Sequence, residues 1–189
     1  MSLTRDAAWE LLTEYTKSES LLKHALAVEA AVCGYAKRFG EDENTWGVVA
    51  LLHDFDYERW PDLTDHPFRG AEILRERGYP EFVVRAILSH ADYSGVTRES
   101  RLERTLFACD EMAGFVIAAA LVRPTRSVLD LEARSVRKRM KDKAFARNVS
   151  RDDLVRGAEE LGVPLDDHIS NVIASLRERA DELGLRGTV

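Results

Sequence analysis

The chain has 189 residues, 45% hydrophobic and 32% charged, with a formal net charge of -6. This is enough chain for one well-cored globular domain, or for one domain with a helical appendage. The acidic balance argues against general nucleic-acid affinity, because a phosphate-gripping surface normally makes a domain basic, and the longest apolar run, Ala113 to Val122, is too short to cross a bilayer.

The opening Met-Ser-Leu-Thr-Arg-Asp is too polar for a secretory signal. A cytoplasmic protein is therefore expected, with Cys33 and Cys109 as buried free thiols in apolar helical segments. Almost every segment reads as helix, and no period-2 strand pattern with turn signals occurs. Residues 4–16 form an amphipathic opener carrying Ala8, Leu11, Leu12 and Tyr15. Ser18 or Ser20 can cap a helix over about 19–39, striped with Leu21, Ala25, Val28, Val32 and Tyr35 and stopped by Gly40. A third helix, 44–53, ends in His53 and is followed by a loop of acids and aromatics, Phe55 to Asp65. Pro67 fits the first turn of a helix 67–77, and Pro80 opens another over 80–90. A long helix runs from 99 to 122 and is closed by Pro124.

Beyond Pro124 the character changes. Residues 134–147 carry seven basic side chains and one acidic. Their expected form is a solvated amphipathic helix with Val136, Met140 and Phe145 facing inward. Ser150 starts a helix over 151–160, and Pro164 opens a last one over 164–183. The expectation is an all-α protein: a core bundle over 1–123 and a helical extension over 124–189.

Four of the five histidines lie between residues 24 and 90. His53 and Asp54 sit over the apolar turns of Trp46 to Leu52, since side chains three and four apart share a helix face. His24 shares a face with Val28, Ala31 and Tyr35, His90 follows Ala86 and Ile87, and His66 stands at a helix mouth before Pro67. Asp110 is flanked at helical spacing by Leu106, Phe107, Ala113, Gly114 and Ile117, with Arg101 and Arg104 off that face. A carboxylate in such a stripe is costly unless something positive meets it. Imidazole and carboxylate together suit Zn, Fe, Mn, Co or Ni, and no thiolate cluster points to a structural zinc site.

The order His24, His53-Asp54, His66, His90, Asp110 on successive helices resembles the HD-domain superfamily of metal-dependent phosphohydrolases. The resemblance covers roughly residues 20–115. The minimal pattern falls on His24, His53, Asp54 and Asp110, and the extra His66 and His90 match the two-metal subgroup. In one departure, Ser89 and Ala91 flank His90 where HD-GYP phosphodiesterases carry a further histidine, which argues against that branch. The resemblance implies that His24, His53, Asp54 and Asp110 hold one divalent metal. Asp54 would bridge to a second held by His66 and His90 and would be the catalytic carboxylate. It implies a small phosphorylated substrate, such as a nucleotide, hydrolysed as a phosphomonoester or phosphodiester. The alternative is an HD-fold module that senses a nucleotide without turnover.

For the substrate's charge, Lys23 beside His24 and Arg69 after His66 are the candidate binding groups, and a basic rim from 134–147 is a third. Tyr57 and Trp60 could stack a base. His168, with Asp166 and Asp167, reads as a surface or helix-start residue outside the pattern.

Overall fold

The computed structural model describes residues 3–188. Among them are nine α-helices, one short 3-10 turn (Asp92–Ser94) and no strand. Four of the helices start where a short polar side chain satisfies a first backbone donor. Thr4 accepts from the Ala7 N–H to open α1 (Arg5–Tyr15), and Asp42 accepts from the Thr45 N–H to open α3 (Glu43–Leu52). Between them, α2 (Glu19–Phe39) ends at Gly40, whose φ of 69° is the left-handed turn a glycine adopts without penalty. After α4 (Phe68–Glu76) and α5 (Glu81–His90), Ser100 and Glu103 exchange hydrogen bonds with each other's backbone and start α6 (Arg101–Leu121). The chain finishes with α7 (Ala133–Met140), α8 (Arg151–Leu161) and α9 (Leu165–Glu178).

Helices α2 and α6 are the central pair: α3 and α9 pack on α2, while α5, α8 and α9 pack on α6. Close approach is built in. A Cβ on Gly157 of α8 would stand 2.8 Å from the Ala108 Cα of α6, and one on Gly34 of α2 would collide with Ser175 of α9. Residues beyond Pro124 bury Val128, Leu131, Val136, Leu154, Val172 and Leu176 in the same hydrophobic cluster as α1 to α6. Glu29 of α2 is 2% exposed, and Arg5 of α1 and Arg179 beyond α9 both pair with it, at 2.6 Å. Two cations on one buried carboxylate thus tie the chain's beginning and end to α2.

The structure corrects four local expectations. The last helix stops at Glu178, not near 183. Beyond it the chain turns so that Leu183 and Leu185 are buried, with Val128 N–H donating to Leu185 O at 2.9 Å. Tertiary pairing there outcompetes helix continuation. The basic segment is helical only to Met140; Val136 is buried, and Met140 and Phe145 are half-buried against the core. Cys109 is buried and free as expected, but Cys33 is only half-buried. The largest correction concerns His168. It is fully buried, accepting from Tyr35 Oη at Nδ1 (2.7 Å) and donating from Nε2 to the Ala108 carbonyl (2.9 Å). It lies on the inner face of α9, facing α2 and α6, with its apolar neighbours Ile169 and Val172.

Burial depresses the His168 imidazole from its ordinary 6.5 to about 4. It is neutral in the fold, whereas the unfolded chain takes up a proton below pH 6.5. Its contribution is therefore complete above pH 6.5 and is lost as pH falls towards 4, by at most about 3 kcal/mol. Urea melts of the wild type and His168→Gln between pH 7 and 4 should show a shallower acid dependence in the variant.

Candidate metal centre

The cluster sits where α2, the end of α3, the start of α4, the end of α5 and the middle of α6 converge. The run Trp46 to Leu52 is buried throughout, so α3 drives its C-terminus into the core and carries His53 to full burial. The His53 Nδ1–H donates to the Ala50 carbonyl at 2.7 Å, and the His90 Nδ1–H donates in the same way to Ile87 O, three residues back in each case. This local bond fixes the tautomer and aims each Nε2 outward from its own helix. His66 is fixed differently: its Nδ1–H donates to Asp56 Oδ1 at 2.8 Å, while the other Asp56 oxygen accepts from the Gly70 N–H at 2.7 Å.

All three Nε2 atoms meet Asp54. Its Oδ1 lies 3.2 Å from His66 Nε2 and 3.3 Å from His90 Nε2. Its Oδ2 lies 3.4 Å from His53 Nε2 and 4.0 Å from His24 Nε2. Asp110 Oδ1 closes that second side, 3.0 Å from His24 Nε2 and 3.4 Å from His53 Nε2. Two donor groups result, His24-His53-Asp54-Asp110 and Asp54-His66-His90, with the atoms of each within 4.8 Å of one another. All six residues singled out for metal thus come together. The His53 Nε2 is buried without a hydrogen-bond partner. An orphaned imidazole nitrogen facing two carboxylates is what a metal-ligand set without its ion leaves behind.

The electrostatics are those of a tight acid-imidazole network. Burial by itself would lower the His53 imidazole, but the Asp54 and Asp110 carboxylates hold it well above its ordinary range. Burial likewise pulls His66 down, and its bonds to Asp54 and Asp56 lift it to about 9. Burial would raise Asp54 and Asp110; the His53 imidazole, with the other histidines around them, keeps both well below the usual carboxylate range.

The cluster forms one end of a cavity of about 510 Å³. Phe107, Gly114 and Ala118 of α6 also line it, as do Ala146 and Val149 from the segment between α7 and α8. Tyr57 and Tyr93 stand at its edge, 40% and 45% exposed. Trp60, the other stacking candidate, packs on Tyr15 at 6.0 Å and is not among the lining residues.

Neither proposed anion-binding side chain lines this cavity. Lys23 is exposed and pairs with Glu19 one turn back; Arg69 is exposed and pairs with Asp65 and Glu72. Both belong to surface helix pairs with neighbouring acids. The basic segment reaches the cavity through Ala146, not through its charges. Lys138 and Arg139 line a separate cavity of about 370 Å³ with Arg123 and Asp142.

Sequence reasoning missed three residues. Asp56 is 1% exposed, and its one signal was a second acid two residues after Asp54. Glu111 lines the cavity beside Asp110, and burial, reinforced by the Asp110 and Asp153 charges, pushes it up to about 7. Tyr93 is pushed up to about 12 by burial and the same acidic surroundings.

A helical bundle with a buried histidine-aspartate cluster able to hold a divalent metal is the class of protein these features define. Residues 21–114 match the HD domain family. The chain belongs to the HD-domain superfamily, whose members bind divalent metals. It is also similar to the tRNA (cytidine(56)-2'-O)-methyltransferase of Thermoplasma volcanium, at 33% identity over 81 residues, covering 43% of this chain. The match spans only 24% of that protein's length. No solved structure matches the chain.

Replacing Asp56 by Ala removes the acceptor of two buried donors, His66 Nδ1–H and Gly70 N–H. A loss of roughly 2–4 kcal/mol is expected in a urea melt. Gly70→Ala should act on the same carboxylate from the other side, because its Cβ would stand 2.9 Å from Asp56 Oδ2 and 3.0 Å from Phe55.

Proposed function

We propose that this chain is a metal-dependent phosphohydrolase, a phosphomonoesterase or phosphodiesterase, acting on a nucleotide or a related small phosphate ester. The observation that carries the reading is Asp54: one carboxylate offers one oxygen to each of two histidine-containing donor groups. In this reading His24, His53, Asp54 and Asp110 hold one divalent transition metal, and Asp54, His66 and His90 hold a second. Fe, Mn, Zn, Co and Ni all suit such nitrogen and oxygen donors. Bound there, the metal supplies Lewis acidity, polarising a phosphoryl oxygen and making hydroxide accessible at neutral pH.

The protein's own groups prepare that chemistry. The carbonyls of Ala50 and Ile87 and the carboxylate of Asp56 hold His53, His90 and His66 in the tautomer whose Nε2 is a free electron pair once deprotonated. Phe107, Gly114 and Ala118 add apolar surface to the α6 wall beside Asp110 and Glu111. Half-buried Glu111 can accept or release a proton near pH 7 at the cavity wall.

The methyltransferase likeness favours a second reading, in which the chain meets tRNA. Filter binding to tRNA that is absent at 50 mM salt would dispose of it.

Asp54→Ala should abolish phosphatase and phosphodiesterase activity and strip transition metal from the purified protein, as read by elemental analysis. Full activity of that variant would overturn the proposal. His66→Ala and His90→Ala should each lower the metal content by one ion per chain and keep the first. Metal uptake must displace the protons that the carboxylates hold on His53 and His66. Affinity should therefore fall as pH is lowered below about 9, with proton release visible in calorimetry in buffers of different ionisation enthalpy.

A further inference from the structure

We propose that the cavity selects a phosphate ester whose remainder is uncharged and largely apolar, with Glu111 excluding a second negative charge and Gly114, Ala118, Ala146 and Val149 receiving the remainder. The inference rests on the phosphohydrolase reading and names its substrate class.

Charge is the first ground. Among the described residues, no Lys or Arg lines the cavity, while Asp54, Asp92, Asp110, Glu111 and Asp153 all do. Asp54 and Asp110 belong to the metal cluster. Asp92 and Asp153 are matched by guanidinium groups: Arg98 is 2.8 Å from Asp92, and Arg156 pairs with both acids. The same two arginines lie over the Phe107 ring, at 3.7 and 4.9 Å, and Arg98 also pairs with Glu160 at 2.6 Å. The nearest cations are thus committed to the wall itself. Glu111 makes no ion pair among the described residues. A phosphate at the metal end would be met by any ions that the histidines and aspartates hold there; a further phosphate or carboxylate would face Glu111 with nothing positive to answer it.

The second ground is the part of the lining that comes from the turn between α7 and α8. Ala146 has a φ of 40°, outside the usual range for alanine, and it is held there. One guanidinium, that of Arg151, donates to the carbonyls of Ala146 (2.8 Å), Val149 (2.7 Å), Asp142 (3.1 Å) and Phe145, and it lies over the Phe115 ring. This clamp fixes a turn that contributes Ala146 and Val149, and no charged side chain, to the cavity lining. The turn lies outside the residues that match the family, 21–114. It is where this chain can set its own specificity on a shared metal centre.

Non-hydrolysable phosphonates separate selection from turnover. Co²⁺-loaded protein is titrated by calorimetry at pH 8 with methylphosphonate, phenylphosphonate and 4-carboxyphenylphosphonate. Phenylphosphonate should bind more tightly than methylphosphonate. It should also bind at least ten-fold more tightly than its carboxylated analogue, the least expected for one unit charge within about 12 Å at an effective dielectric of about 20. Glu111→Gln should shrink that preference to about two-fold, and Val149→Asn should shrink the advantage of the phenyl group. Equal or tighter binding of the carboxylated compound, or no binding of any phosphonate, overturns the inference. The stated order without turnover of any phosphate ester upholds the selection and overturns the hydrolase. Turnover without the order does the reverse.

Discussion

One carboxylate, Asp54, is within 4.0 Å of the Nε2 atoms of four histidines drawn from α2, the end of α3, the start of α4 and the end of α5. Everything else in the bundle serves that convergence. A carboxylate ringed by imidazoles at the wall of a cavity, 24% exposed, still carries a desolvation cost, and the fold offsets it by surrounding the group with partners that are themselves fixed. His53 and His90 are held by carbonyls of their own helices, and His66 is held by Asp56, which is fastened in turn by the Gly70 amide. The cost of burial is thereby spread over a network in which His53, His66 and His90 each have a second, fixed partner.

The part of the chain after Pro124 supports this network from behind. His168 of α9 bonds to Tyr35 of α2 and to Ala108 of α6, two residues before Asp110. Arg179 and Arg5 meet on Glu29 of α2, five residues after His24. The two helices that contribute His24 and Asp110 are therefore each gripped by buried polar contacts with the chain's ends. Cavity and scaffold also meet at α8, where Gly157 allows its backbone to lie against Ala108 and so brings Asp153 and the turn before it to the cavity wall. A neutral imidazole is the right device at His168: it accepts from one helix and donates to the other without bringing a charge into the core.

The helix pattern was legible because it follows from local rules: 3.6-residue apolar spacing, polar N-caps and glycine stops. The metal-centre residues were legible for a related reason. A histidine or aspartate on an apolar stripe violates the local pattern, and His24, His53, His90 and Asp110 each did so visibly. Asp56 did not, because it lies in a loop crowded with other acids. His168 did not, because flanking Asp166 and Asp167 made it look like part of a solvated helix start. Lys23 and Arg69 stand close in sequence to His24 and His66, yet in the structure they pair with Glu19 and with Asp65 and Glu72, because a side chain's direction is set by its position on the helix.

The sequence by itself determined that the chain is helical, because that follows from apolar periodicity, while the grouping of His24, His53, Asp54, His66, His90 and Asp110 was an expectation carried by the order in which those residues resemble the HD-domain pattern. Only the tertiary structure decided that Asp54 divides its two oxygens between two groups of histidines. The same holds for the commitment of Arg98 and Arg156 to the wall acids, and for the apolar lip that Arg151 makes of a basic segment. Those outcomes depend on the directions in which side chains from distant helices meet. Such directions are set by packing of the whole core and leave no periodic trace in any one segment.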